Sequence, residues 1–309
     1  MSDKRLKVGL VLETPGVNDP YNGAAYLGLE RAVRELGIKG RVLVPAPREG
    51  FFPSFSLLAR QQYDLVIGIS PVFQVDAIDT VAVRFPARRF AIVDVPHEAL
   101  EHRPENVQGL VFSEDEAGYL AGYLAARMVT AAAGEEVISS IGGQRVPSVE
   151  RWIAGYQAGA RRANPRVTAL NSYTDDFLDP AKGRAAALSQ IAKGSRVVFQ
   201  VANACGLGAL EAAREQGIWA IGVDVDQSAL GSHILTSAVK RLDVAVFTTV
   251  QELVHGTLET GSTSVFSLRN SGVGLGVISP EVPRSLVAEI EKVKAEIVAG
   301  RIAIPVPVT

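Results

Sequence analysis

A single cysteine, Cys205, stands in 309 residues, with only four histidines, two tryptophans and two methionines. One cysteine excludes an intramolecular disulfide framework and leaves the redox compartment open, since exported proteins also do without disulfides. Neither sign of charge is in excess: 31 basic against 33 acidic residues leave a formal −2. That balance supplies no polybasic field to draw the chain onto nucleic acid and no acidic tail to keep a segment solvated. Long hydrophobic runs are missing too, and none nears the roughly 18 residues of a membrane-crossing helix. The opening Met1 to Lys7 leads into a strand without the apolar stretch of a signal peptide. The expectation is therefore a cytosolic protein or one whose export signal lies outside this sequence.

What is present is alternation. Short β-branched runs take turns with amphipathic stretches, the pattern of α/β layers built on parallel sheets. Strands are expected at Lys7–Leu12, Arg41–Val44, Leu65–Ile69, Phe90–Val93 and Val107–Val111, with helices near Gly23–Leu36, Phe55–Gln61 and Gln74–Val83 between them. The series then restarts. Strands at Val137–Ile141, Val167–Tyr173, Val197–Val201 and Trp219–Val223 are separated by helices at Val149–Ala163, Pro180–Lys193 and Leu207–Gln216. Asp179 before Pro180 reads as a helix cap with proline in the first turn, and Gly194 as the stop.

Side by side, Phe90-Ala91-Ile92-Val93-Asp94-Val95 corresponds to Ala220-Ile221-Gly222-Val223-Asp224-Val225, 130 residues later. A period that long describes two doubly wound lobes rather than a solenoid. A strand at Ile234–Val239, a helix at Leu242–Leu258, a glycine-rich strand at Gly272–Ile278 and a helix at Pro283–Val298 follow. They suggest that the chain returns to its first lobe and crosses several times, which makes a hinge. The expected division is 1–111 plus about 240–271 for the N-terminal lobe and 112–239 plus about 272–309 for the C-terminal lobe. Ligands of such sheets bind outside the carboxyl ends of the strands, so a cleft between two facing lobes is expected. Ile304–Val308 reads as an extended strap.

Signs of an enzyme are thin. His97, His102, His233 and His255 show no zinc spacing and no neighbouring cysteine, and read as surface or loop residues rather than ligands. Cys205 has no local histidine and reads as a packed thiol. Gly142-Gly143 and Gly206-Leu207-Gly208 lack the complete dinucleotide fingerprint, and no phosphate-loop lysine follows either. Asp224-Val225-Asp226 is either a functional carboxylate pair or a strand end that caps the next turn. No cofactor and no metal is expected.

Six ordered segments together resemble one family. They are Phe112 to Gly122 (FSEDEAGYLAG), Gly142 to Gly159, Asp179 to Gly183 (DPAKG), Val198 to Ala202 (VFQVA), Ile221 to Gln227 (IGVDVDQ) and Ile234 to Arg241 (ILTSAVKR). The family is the basic membrane proteins, ABC-transporter substrate-binding proteins similar to the purine nucleoside receptor A type. The resemblance covers about Lys7 to Pro305. It implies a type I periplasmic-binding fold that closes over a purine nucleoside (adenosine, guanosine or inosine) and delivers it to an ABC permease. It also implies an extracytoplasmic, usually monomeric protein, joined to the membrane only through a lipid anchor that this sequence does not contain.

Residue by residue, the resemblance puts Asp224 on the ribose hydroxyls, where an ionised carboxylate accepts from a vicinal diol. Lys240 would reach the same sugar, with a solvated lysine beside Arg241 as its alternative. Phe199 would stack on the purine, with a plain core phenylalanine in a buried strand as its alternative. Gly206 would let backbone approach the ligand, and turn-making alone explains it equally well. In the first lobe the family has Asp, two residues, then Phe-Asn. Here Asn18-Asp19-Pro20-Tyr21-Asn22 is one residue shorter, with Tyr21 as the second stacking ring and Asp19 and Asn22 at base edges or capping the next helix. Trp152 and Glu116 are further candidates, with an anchor in the core and a helix N-terminus as their respective alternatives. Rival readings are a free purine base or another small solute as ligand, a ligand-sensing regulator, and a nucleoside hydrolase. Against the regulator, nothing before Lys7 is long enough for a helix-turn-helix.

Overall fold

The computed structural model describes residues 5–46, 48–132 and 134–305. Along the chain run β1 (Lys7–Val11), α1 (Pro20–Leu36), β2 (Lys39–Leu43), α2 (Phe52–Arg60), β3 (Leu65–Gly68), α3 (Val75–Arg84), β4 (Arg89–Val93) and β5 (Val107–Phe112). Then come α4 (Glu114–Ala131), β6 (Val137–Gly142), α5 (Pro147–Ala163), β7 (Thr168–Tyr173), α6 (Pro180–Ile191), β8 (Val197–Val201), α7 (Asn203–Glu215) and β9 (Trp219–Asp224). The chain ends through β10 (Ile234–Lys240), α8 (Leu242–His255), β11 (Ser262–Phe266), β12 (Val273–Leu275) and α9 (Arg284–Val298). Of the strap expected over Ile304–Val308, the part beyond Pro305 lies outside the described residues.

Two compact units divide the chain: Met1–Phe112 with Arg241–Phe266, and Ser113–Lys240 with Ser267–Thr309. The third crossing comes after Phe266 rather than after 271, because β11 ends there and Ser267 at once caps a 3-10 turn of unit 2, accepting from Arg269 N.

In unit 1 the sheet order is β11-β5-β4-β3-β1-β2, all parallel. β3 is buried along its whole length, as are β1 and β4 apart from their first residues. That is expected of central parallel strands covered on both faces. Phe55, Leu58, Ile78, Val81, Phe90 and Ile92 form the core beneath α2 and α3. Opposite them α1 lies so close to α8 that a Cβ on Gly28 would sit 2.5 Å from Asp243 O.

Unit 2 repeats the plan as β12-β10-β9-β8-β6-β7, with only β12 antiparallel. Its α4 and α5 meet backbone to backbone. A Cβ on Gly118 would fall 2.4 Å from Trp152 O and one on Gly122 1.8 Å from Tyr156 O. Reciprocally, one on Gly155 would lie 2.1 Å from Asp115 O and one on Gly159 1.9 Å from Tyr119 O. Two glycines four residues apart on each helix thus interlock, an approach that any side chain would prevent. In both units the sheet order reverses beside the first strand, between β1 and β3 and between β6 and β8. Those are the positions at which open α/β sheets bind ligands.

Candidate functional site

At the carboxyl end of β1 in unit 1, Glu13 is followed by a one-turn 3-10 helix and then α1. Asp19 caps α1, its Oδ1 accepting from Asn22 N at 3.0 Å. Asn22 is buried, and its Nδ2 donates to Glu13 O at 3.1 Å. Both residues therefore fix the loop that carries Glu13, as the capping alternative requires. Glu13 is half-buried; its Oε1 has no hydrogen-bond partner among the described residues, and burial raises its carboxyl pKa against the Ser70 hydroxyl bond that lowers it. The Tyr21 hydroxyl donates to Asp94 Oδ2 at 2.9 Å, with Ile69 O 3.3 Å away. Asp94, the residue after β4, lies in the left-handed region, φ 64°, a conformation sparsely used outside glycine and concentrated at functional sites. After β3, Ser70 Oγ accepts from Phe73 N at 3.2 Å, and the Phe73 ring is 65% exposed. Phe73 is the aromatic among the large exposed apolar side chains of the described residues.

Unit 2 mirrors this. Asp224 ends β9, half-buried, with φ again 64°. Asp226, its neighbour in the D-x-D, accepts from Ser228 N and Oγ at 3.2 and 3.0 Å, so that carboxylate caps the turn after β9. Gln227 Oε1 accepts from Val223 N at 3.1 Å and from Gln200 Nε2 at 2.8 Å. Gln200 Oε1 in turn accepts from Ala202 N at 3.1 Å, tying the ends of β8 and β9 together.

Lys240, at the end of β10, is 3% exposed, and its Nζ lies 3.0 Å from Glu114 Oε1. Glu114 is fully buried and also takes Arg151 Nε on Oε2 at 2.6 Å. The solvated-lysine alternative is thereby overturned: Lys240 is held in a buried charge network. Glu116, two residues on in the same first turn of α4, accepts from Leu268 N at 2.6 Å, and burial raises its pKa. The first turn of α4, just past the first crossing, thus grips both other crossings, Lys240 through Glu114 and Leu268 through Glu116.

Three expected ligand contacts are corrected. Phe199 is 0% exposed in the middle of β8, packed edge-on to Trp152 (centroids 6.3 Å apart) and tilted on Tyr156 (5.0 Å). Its ring belongs to the core, because β8 is covered on both faces. Trp152, 2% exposed, is the core anchor on α5. Gly206 sits in the first turn of α7, where a Cβ would lie 1.8 Å from Gln200 Oε1, so its missing side chain makes room for Gln200 rather than for a ligand. His97 is also no surface residue: it is 8% exposed, with Nε2 3.2 Å from Pro104 O. Cys205 is buried, its Sγ donating to Thr174 Oγ1 at 3.4 Å.

Glu13, Asp94 and Phe73 are strand-end residues that the sequence reading passed over. A signal existed for Asp94, which falls opposite Asp224 in the 130-residue repeat.

A family model described as ABC transporter substrate-binding protein PnrA-like, Bmp, matches residues 6–307. The chain belongs to the Bmp family. Among Bmp-like relatives, the ABC transporter nucleoside-binding protein BmpA of Lactococcus lactis is 28% identical over 97% of this chain and 89% of its own. An uncharacterized lipoprotein of Pyrococcus horikoshii is 30% identical over 88% of this chain and 69% of its own. The solved solute-binding protein of an ABC transporter system from Aeropyrum pernix K1 superposes with TM-score 0.81 over 98% of this chain and 94% of its own, at 24% identity. The Bmp chain thus has the two-lobed α/β fold of solute-binding proteins and is of the ABC-transporter substrate-binding class. No helix among its described residues is long and apolar enough to cross a membrane.

Proposed function

We propose that this Bmp protein captures a purine nucleoside outside the cytoplasm and hands it intact to an ABC permease, with no chemical step. The observation that carries the reading is Asp224: a half-buried carboxylate at the end of β9, held in a left-handed backbone conformation. Such a carboxylate suits a vicinal diol, accepting from both hydroxyls. The substrate class is supported by the relative named for nucleoside binding and the location by the one named a lipoprotein.

Lys240 is the cation for the same sugar, positioned by Glu114. Tyr21 and Phe73 replace Phe199 as the rings for the base, and Glu13 and Asp94 are acceptors for N–H donors on its edge. Asp19, Asn22 and Glu116 support these groups by holding the loops around them.

The test is calorimetric titration of protein unfolded and refolded to strip carried-over ligand, against adenosine, guanosine, inosine, cytidine, adenine and ribose. Purine nucleosides are expected to bind tightly. Asp224→Ala should weaken them about 100-fold, the loss of two charge-assisted hydrogen bonds. Adenine binding as well as adenosine, with Asp224→Ala indifferent, would remove the ribose; free base and ribose in the cell would show a hydrolase instead.

A further inference from the structure

Away from the strand ends, unit 1 gathers three metal-ligating side chains that no local spacing announces. Asp79 lies in the middle of α3 and is 3% exposed. Glu101 and His102, both exposed, sit in the loop that leads to β5. One donor atom from each of the three lies within 4.8 Å of the others. Asp79 Oδ2 accepts from His102 N at 3.1 Å and faces His102 Nδ1 at 2.8 Å, its ion-pair partner. Asp79 Oδ1 is buried with no hydrogen-bond partner among the described residues.

That orphaned oxygen is the decisive feature. A carboxylate taken out of water needs its acceptor sites filled, and one left bare is expensive. The neighbours of Asp79 on α3, Ile78, Val81 and Ala82, are apolar core, so none of them fills that oxygen. The geometry points to a divalent transition-metal site, of the zinc class, formed by Asp79, Glu101 and His102. One imidazole nitrogen with two carboxylate oxygens is a zinc-type donor set, and three protein ligands leave room for water. Bonds of about 2.0–2.2 Å from one ion to nitrogen and oxygen set those atoms a little over 3 Å apart. The His102–Asp79 contact at 2.8 Å needs only a slight opening to admit it. The ion would fasten the 101–106 loop to α3, remote in function from the solute site.

The full chain, freed of metal with a chelator, is titrated calorimetrically with Zn²⁺. One ion per chain is expected, weakened at least tenfold by His102→Ala and by Glu101→Gln. His102 is half-exposed, so its replacement leaves the fold intact, and circular dichroism checks this. Asp79→Asn, likewise folded, should also lose the site, and Zn²⁺ should raise the melting temperature of the native chain but not of the His102→Ala variant. Absence of stoichiometric binding, or binding unchanged by His102→Ala because it resides on His97, His233 or His255, would overturn the assignment. Unaltered adenosine binding with and without Zn²⁺ is expected, which separates this site from the solute reading.

Discussion

Lys240 and Glu114 show what a single residue does when water is removed from around it. The two opposite charges, 3% and 0% exposed and 3.0 Å apart, belong to one buried network with Arg151. Removing the Glu114 charge takes away the buried carboxylate that both Lys240 and Arg151 meet, at a cost of about 3–5 kcal/mol. Glu114→Gln should therefore lower stability by that order in urea unfolding, and the double variant Glu114→Gln/Lys240→Met should recover part of the loss. Ligand stacking makes a separate prediction: Phe73→Ala should weaken purine nucleosides at least fivefold, since a base–aromatic stack is worth roughly 1–3 kcal/mol. Phe199→Leu should cost stability and leave affinity nearly unchanged, the result that distinguishes a core ring from a ligand ring; titration and melting on the same samples read both. Asp19 and Asp179 were legible as caps because capping is local. For Phe199 the sequence left the core and the ligand readings both open, because a central parallel strand such as VVFQV is apolar on both faces and its pattern does not say which side chains reach a ligand. The Lys240–Glu114 and Asp79–His102 pairs join residues 126 and 23 positions apart, beyond any local spacing.

The same logic governs whole elements. α1 and α5 carry an apolar stripe and a polar back, so their periodicity shows in the sequence. α4 escaped the periodic reading because eleven of its eighteen residues are buried, which blurs a 3.6-residue period. β11 escaped because Ser-Thr-Ser-Val-Phe is a mostly polar edge strand. The interlocked glycines of α4 and α5 make the pair intolerant of a single methyl. Gly122→Ala, with its Cβ 1.8 Å from Tyr156 O, is expected to destabilise by about 3 kcal/mol, at the upper end of overpacking costs. Gly37→Ala, in open space, should cost only its left-handed backbone strain of about 1 kcal/mol.

The entry to α6 responds instead to pH. Asp176 takes Leu178 N, Asp179 N and Lys182 Nζ at 2.7, 3.1 and 2.7 Å. These donors, the lysine first, hold its pKa down at about 2 against 3.8. A lowered carboxyl pKa contributes stability above its ordinary value and loses it as pH falls toward the folded one. The stability difference between the native chain and Asp176→Asn should thus shrink between pH 4 and 2, as urea midpoints across that window would show.

At the scale of the whole molecule, the two units are one plan written twice, and the 130-residue repeat made that visible because each copy ends a buried strand in Val-Asp-Val. Asp94 and Asp224 adopt the same φ of 64° at those ends. The plan is nevertheless interrupted. Unit 1 is finished only by residues 241–266, which place α8 against α1 and β11 beside β5, where Phe266 packs on Phe112 with ring centroids 5.3 Å apart. Burial of the α1 face at Gly28 therefore depends on a helix encoded more than 200 positions later, across all of β6 to β10. A fragment ending at Phe112 keeps five parallel strands but leaves the α8-facing side of α1 in water. It should unfold without a cooperative transition and bind hydrophobic dye. Replacing residues 113–240 by a flexible glycine–serine linker restores α8 and β11, and that shortened chain should melt as a single cooperative unit in calorimetry. A cooperative fragment 1–112 would mean that the covering helix is dispensable and that the late return of the chain serves the connection between units rather than the stability of the first.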